Sequence, residues 1–305
     1  MANAVLLKLS HNDRARRVLT GFPATRAVVD RFVAGTGDDD AVRILRALHA
    51  EGLTSTVDRL GEDVRDRATA DATADGYVHL LGRLADEGLV PAAEVSVKLS
   101  AVGADIDPAL GLENARRICA AAAGAGTTVS LDMEDHTTVD RTLAALAELR
   151  ADYPWLAIVL QSALRRTEGD LRDVRGAGSR VRLVKGAYAE PASVAYPNKR
   201  DVDAAYRRGL EILMSGAGYP QVATHDLALI SYASTLADRF GRAADSYEYQ
   251  MLYGIRPAEQ RRLVAAGRRV RIYVPYGTDW YGYFVRRLAE RPANIGFFAR
   301  ALLSH

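Results

Sequence analysis

Ionisable and hydrogen-bonding side chains in this chain collect where its apolar runs stop. Lys98 stands in Val97-Lys98-Leu99-Ser100, Asp132 opens Asp132-Met133-Glu134-Asp135-His136, and Gln161 follows Leu156–Leu160. Lys185 follows Arg182-Leu183-Val184, His225 stands in Ala223-Thr224-His225-Asp226, and Gln250 and Tyr276 follow the last two runs. A lysine at the end of an apolar strand must find an anion, reach solvent or shift its pKa. Arg182 and Lys185 share one strand, and two cations facing one space suit an anionic cofactor or substrate. Gly186 then lets backbone approach something closely, and Tyr188 follows. Further on, Arg286–Arg287 can grip a carboxylate in bidentate fashion or form a solvated helix face. The aromatics Trp280, Tyr281 and Tyr283 beside the pair favour the grip. The acids and histidine of Asp132–His136, taken with His225 and Asp226, raise the question of a metal. Such ligand sets need two or three converging imidazoles, and the other histidines fall outside strand ends. An Asp132–Lys98 pair across neighbouring strand ends is the simpler account, and no metal is expected.

The elements that must position these residues repeat along the chain. Eight short apolar runs cover Leu53–Val57, Val95–Leu99, Thr127–Leu131, Leu156–Leu160, Val181–Val184, Gln221–Ala223, Ser246–Tyr249 and Val270–Val274. Helical stretches lie between them: Glu62–Gly88, Pro108–Ala123 with Pro at its start, Thr137–Ala151 with a Thr cap, Glu168–Arg175, Lys199–Ser215, Leu227–Arg239 and Pro257–Ala266. Eight strand–helix units predict an α/β fold, a (β/α)₈ barrel whose strand C-termini form the active face. Residues 1–50 read as a helical N-terminal extension, with helical spacing in Arg14–Leu19, Arg26–Val33 and Ala41–Ala50. Residues 51–305 read as the catalytic barrel. It closes with Trp280–Arg291, a break at Pro292 and Ala293–Leu303, which predicts a C-terminal helix over the active face.

The whole chain narrows the class. Its 305 residues carry a formal net charge of +2 with arginines spread out, which excludes nucleic acid as the main partner. The single cysteine, Cys119, sits in an apolar helical stretch, rules out internal disulfides and fits a reducing, cytoplasmic setting. No run approaches the ~20 apolar residues of a spanning helix, so any membrane contact is expected to be peripheral, at the inner face of the cell membrane. G-x-G-x-x-G, G-x-x-x-x-G-K-[ST] and G-x-S-x-G are all absent, which leaves a Rossmann domain, a P-loop and a hydrolase elbow unsupported.

Taken together, the segments Val95–Ala101, Leu131–Asp135, Val159–Ser162, Arg182–Tyr188, Ala223–Asp226, Glu248–Gly254, Val270–Gly277 and Arg286–Asn294 resemble the proline dehydrogenase family. These are FAD-dependent enzymes that oxidise L-proline to Δ1-pyrroline-5-carboxylate. The resemblance implies FAD across the strand ends, held by Asp132, Gln161, Arg182, Val184, Lys185, Gly186, Ala187, Thr224 and His225, with Arg182 near flavin N5. It implies a proline carboxylate bound by Lys98, Arg286 and Arg287, with Asp132 orienting Lys98 and Glu290 orienting the arginines. Tyr188, Leu252, Tyr273 and Tyr283 would enclose the pyrrolidine ring, and Tyr273 would reject 4-hydroxyproline. Glu62 is a candidate gate through Arg286, or an acid favoured by a helix N-terminus. The family passes electrons to a quinone or other acceptor. The chain leaves no room for a second, aldehyde-oxidising domain, so a separate pyrroline-5-carboxylate dehydrogenase is expected to take the product. Ser162–Ala163 and Leu227 depart from the family pattern and bear on cofactor packing. A Schiff-base lyase using Lys98 or Lys185, or a barrel that binds without turnover, are the competing readings.

Overall fold

The computed structural model describes residues 29–62 and 64–290, with 286–290 as helical backbone only. The expected helices at Arg14–Leu19 and Ala293–Leu303, and the start of Arg26–Val33, lie outside the described residues.

Eight parallel strands close into one barrel in sequence order. They are β1 Thr54–Arg59, β2 Ala93–Val97, β3 Val129–Leu131, β4 Ala157–Gln161, β5 Arg180–Val184, β6 Tyr219–Ala223, β7 Glu248–Leu252 and β8 Val270–Tyr276. The ring closes where β1 pairs with β8, from Thr54 opposite Arg271 to Arg59 opposite Tyr276. Helix α1 (Asp38–Ala50) precedes β1. Between strands run α2 (Arg67–Asp86), α3 (Pro108–Ala125), α4 (Val139–Leu149), α5 (Thr167–Val174), α6 (Lys199–Met214), α7 (Leu227–Arg239) and α8 (Pro257–Ala265); α9 (Trp280–Glu290) follows β8. This is the (β/α)₈ barrel that the sequence predicts.

Side chains alternate across each strand, and the two faces differ sharply. Outward positions such as Val57, Val95, Val97, Leu131, Ile158, Leu160, Leu183 and Ile272 are buried against the helices. From the helix side Leu80, Leu81 and Leu84 of α2 and Ile118 of α3 meet them in one apolar cluster. The inward face is polar, unlike the branched apolar filling usual in such barrels. Arg180 on β5 reaches Glu94 on β2 at 2.7 Å, a contact that must cross the barrel because two strands separate them. Glu94 also accepts from Thr56 and Thr128, while Glu248 pairs with Arg271 at 2.8 Å and takes Gln221 and Gln250. These groups form a floor in which Glu94, Gln221 and Glu248 are buried and Arg180 is partly so. Glu94 shows how the balance falls: burial pushes its carboxyl up, but Arg180 and Arg271 overcome this and hold it well below the ordinary range.

Several boundaries move for identifiable reasons. Helix α2 starts at Arg67, capped by the Asp66 side chain on the Thr69 amide, so Glu62 stands in the β1–α2 loop and not at a helix N-terminus. Helix α3 runs through Gly124 and stops at Gly126, whose φ of 75° ends it in a left-handed turn. Thr138 occupies the N-cap of α4 without capping it, since its hydroxyl donates to the Asp135 carbonyl. Strand β7 begins at Glu248 and continues to Leu252, beyond the expected Ser246–Tyr249.

Candidate active site

The site is a second polar storey, one inward step above the floor. Ser96 lies two residues after Glu94, Arg182 two after Arg180, and Tyr273 two after Arg271, so period-two alternation places them on the inner wall. Asp132, the residue after β3, is their meeting point. Its Oδ1 accepts from Arg182 Nη1 at 2.8 Å and from Ser96 Oγ at 2.6 Å, and its Oδ2 accepts from the Tyr273 phenol at 2.6 Å. The Arg182 guanidinium also lies over the Tyr273 ring, 5.3 Å from its centroid. The Tyr273 hydroxyl is pushed well above the ordinary phenol range by burial and by Asp132 and Asp58, so it remains a donor.

Lys98 is buried and gripped by Asp58, with Nζ 3.0 and 2.9 Å from its two oxygens, while Asp132 is 3.9 Å away. The expected Asp132–Lys98 pairing is therefore the weaker one. Burial disfavours the ammonium, but Asp58 and then Asp132 outweigh it and hold Lys98 charged far above its ordinary range. An ammonium held between two carboxylates is a poor Schiff-base nucleophile, which weighs against Lys98 in that competing reading. Asp58 is the candidate site residue that reading the sequence missed. The expected strand ends at Val57, yet β1 continues to Arg59. The usable signal was period two, since Asp58 stands two positions after Thr56 and so shares its face of the strand.

Arg182 and Lys185 do not face one space. Arg182 points across the barrel, whereas Lys185 turns towards α6 and the β6–α7 loop, 2.5 Å from Asp203 and 3.1 Å from Asp226. Both carboxyls are held below their ordinary range: burial pushes them up and is overcome by Lys185. Gln161 ends β4 and donates to the Glu134 carbonyl at 2.7 Å. Gly186 has a φ of 108°, which favours glycine, and a Cβ there would press on Gln161 Oε1 at 2.9 Å. Thr224 takes the Asp226 amide on its hydroxyl, and His225 Nε2 accepts the Leu252 amide at 3.0 Å, which fixes the ring against β7.

Val184, Ala187, Tyr188, Leu252 and Glu62 all stand at or just beyond strand ends on this same face and are partly exposed there. Tyr283 belongs to α9, in an apolar cluster with Val29, Phe32, Val33, Leu60 and Phe284, so that helix packs beside the end of β1. Arg286, Arg287 and Glu290 continue α9, and their side chains lie outside the described residues. Cys119 is fully buried and its thiol is pushed up to about 12 by burial, which leaves it inert. Among the described residues no three histidine, cysteine, aspartate or glutamate side chains converge as a metal site.

The residues also fit a flavin. Nε and Nη2 of Arg182 are buried and lack a hydrogen-bond partner within the protein. Buried donors of this kind require an acceptor, and the ring nitrogens and carbonyl oxygens of an isoalloxazine are acceptors. Fold and site together define a (β/α)₈ enzyme whose charged storey opens at the strand C-termini.

Comparison with known proteins places it more closely. Residues 41–300 match the family described as proline dehydrogenase. Proline dehydrogenase of Deinococcus radiodurans is 42% identical over 281 residues, covering 90% of each chain. Proline dehydrogenase 1 of Bacillus subtilis is 37% identical over 303 residues, covering 99% of each. The chain belongs to the proline dehydrogenase family; it is an oxidoreductase whose reaction, proline oxidation, opens proline catabolism. Among solved structures, proline utilization A from Bdellovibrio bacteriovorus, inactivated by N-propargylglycine, superposes with a TM-score of 0.82 at 25% identity over 87% of this chain. Proline utilization A from Corynebacterium freiburgense shares the fold, with a TM-score of 0.75 over 98% of this chain. The chain spans 33% and 34% of those two longer proteins.

Proposed function

We propose that this chain oxidises L-proline to Δ1-pyrroline-5-carboxylate with FAD as its bound cofactor and passes the electrons on to a quinone-type acceptor. When bound, the flavin supplies a two-electron acceptor for a hydride equivalent from the proline ring, so no protein nucleophile is needed. The chain's part is positioning and electrostatics. Arg182 would hold the reactive edge of the flavin through its two free donors. Asp132, Gln161, Val184, Gly186, Ala187, Thr224 and His225 would line the cofactor, with Lys185 beside its anionic portion.

Charge balance supports the assignment of the substrate carboxylate. Lys98 and Arg182 are matched within the storey by Asp58 and Asp132, so the arriving carboxylate needs further cations. Arg286 and Arg287 are the pair we assign to it, with Lys98 completing the grip and Glu290 orienting the arginines. Tyr188, Leu252, Tyr273 and Tyr283 would enclose the ring and exclude water. Glu62 would gate the entrance. The product would pass to a separate pyrroline-5-carboxylate dehydrogenase. No helix among the described residues is long and apolar enough to cross a membrane, so we assign any contact with a membrane acceptor to the surface of the protein.

The observation that carries this reading is Arg182, anchored on Asp132 with two buried donors unspent. The test is product trapping. Enzyme reconstituted with FAD, L-proline and a soluble quinone should yield an adduct with o-aminobenzaldehyde, and Arg182→Ala should abolish it. Adduct formation undiminished in Arg182→Ala would overturn the assignment.

A further inference from the structure

A half-buried histidine–carboxylate contact joins two loops at the mouth of the barrel, outside the residues assigned above. His136, in the loop after β3, contacts Glu190, in the loop after β5, through its ring Nδ1, and its backbone amide donates to the same carboxylate at 3.0 Å. Strand β4 lies between β3 and β5, so this contact straps across the end of β4, above Gln161. The Glu190 side chain is only 6% exposed, although it belongs to a surface loop. A buried carboxylate keeps its place only while it is paired.

The strapped loop, residues 185–198, carries Lys185, Gly186, Ala187 and Tyr188. Its two ends are stitched to the β4–α5 loop by backbone bonds: Ala163 donates to the Lys185 carbonyl at 2.8 Å, Arg165 to Val194 at 2.9 Å, and Tyr196 to Ala163 at 2.8 Å. Glu190 lies in the stretch between these ends, two residues beyond Tyr188. The anchor on the other side is itself rigid. Asp135, next to His136, accepts from the Thr137 amide and hydroxyl, and Glu134 accepts from the Ser100 amide and hydroxyl.

We infer that the His136–Glu190 clasp sets the position of the loop bearing Tyr188, and that both are positioning residues for proline binding. This rests on the proposed enclosure of the substrate ring by Tyr188. Breaking the clasp frees the middle of the loop while leaving Arg182, Lys98 and the floor untouched. Substrate affinity should therefore suffer more than the chemical step, the pattern of lost ground-state binding.

The experiment uses the FAD-loaded enzyme with His136→Ala, Glu190→Ala, the double variant and His136→Asn, whose amide nitrogen restores a donor near the Nδ1 position. We expect KM for L-proline to rise about tenfold in His136→Ala with kcat within about twofold, the size of one lost charge-assisted hydrogen bond. His136→Asn should recover most of the loss, and the double variant should be no worse than the worse single variant. Chymotrypsin cleavage after Tyr188, followed by mass spectrometry, reads the middle of the loop without turnover and should accelerate by a similar factor in His136→Ala. Unchanged KM with unchanged cleavage would overturn the clasp. Faster cleavage with unchanged KM would retain loop positioning but overturn its role in proline binding. A wild-type enzyme that fails to turn over proline would refute the proposed function, and the cleavage rates would then decide loop positioning alone.

Discussion

Replacing Asp58 by Asn tests how the charged storey is held. Lys98 sits 2.9 Å from Asp58 and 3.9 Å from Asp132. With an effective dielectric of about 20 those separations correspond to about 6 and about 4 kcal/mol of attraction. Asp132 is already engaged by Arg182, Ser96 and Tyr273, so it cannot move to replace Asp58. Breaking a buried pair usually costs about 3–5 kcal/mol in total. Asn keeps one neutral acceptor for the ammonium, which we take to recover about half, leaving a loss of about 2 kcal/mol. If that loss falls on the grip for the substrate carboxylate, kcat/KM for L-proline drops about thirtyfold. The variant also makes Lys98 easier to deprotonate, because its larger favourable partner is gone while its burial remains. Lys98 should therefore add no alkaline limb to the kcat/KM profile of the unmodified enzyme, while in the variant any such limb moves down towards the accessible range. Steady-state kinetics across pH 6–10, on protein whose flavin content has been matched, is the assay. A kcat/KM within twofold of the unmodified enzyme across this range would refute the reasoning.

Tyr273→Phe removes the donor to Asp132 Oδ2 while keeping the ring over Arg182, and should cost about tenfold in kcat/KM for proline with little change in melting temperature. Tyr273→Ser opens space beside the substrate ring, and should raise the ratio of hydroxyproline to proline kcat/KM; a ratio that falls would remove Tyr273 from specificity. The floor predicts an acid response. Glu94 and Glu248 are held below the ordinary carboxylate range when folded, so the unfolded chain binds more protons between the two sets of values. Stability from the pair is thus complete above about pH 5 and declines as pH falls through about 4 and below. Glu94→Gln should lower the melting temperature by several degrees at neutral pH and flatten its dependence below pH 4, as followed by circular dichroism. Glu62→Ala should raise proline KM and speed flavin reaction with a small solvent-borne reductant if the residue gates the mouth; neither changing would discard the gate.

The barrel was legible because its outward strand faces are apolar and its helices recur at regular spacing. Lys98, Asp132, Gln161 and His225 stood out as polar residues at the ends of such runs. Asp58 was harder to see because β1 is polar along its inner face, Thr56 then Asp58, and the apolar reading stopped at Val57. The floor was illegible for a related reason. Glu94, Arg180, Glu248 and Arg271 sit on four different strands, and only ring closure brings them together. Nothing local in the sequence distinguishes a charge that crosses the barrel from one that meets solvent. The same limit explains why Arg182 and Lys185, three residues apart, read as one cationic pair although they serve different neighbours.

The most direct test of the account is an anaerobic absorbance spectrum of the FAD-reconstituted protein before and after L-proline. The account predicts an oxidised flavin spectrum that bleaches when proline is added and does not bleach in Arg182→Ala. A protein that retains no flavin after incubation with FAD, or a flavin spectrum that L-proline leaves unchanged, would contradict it.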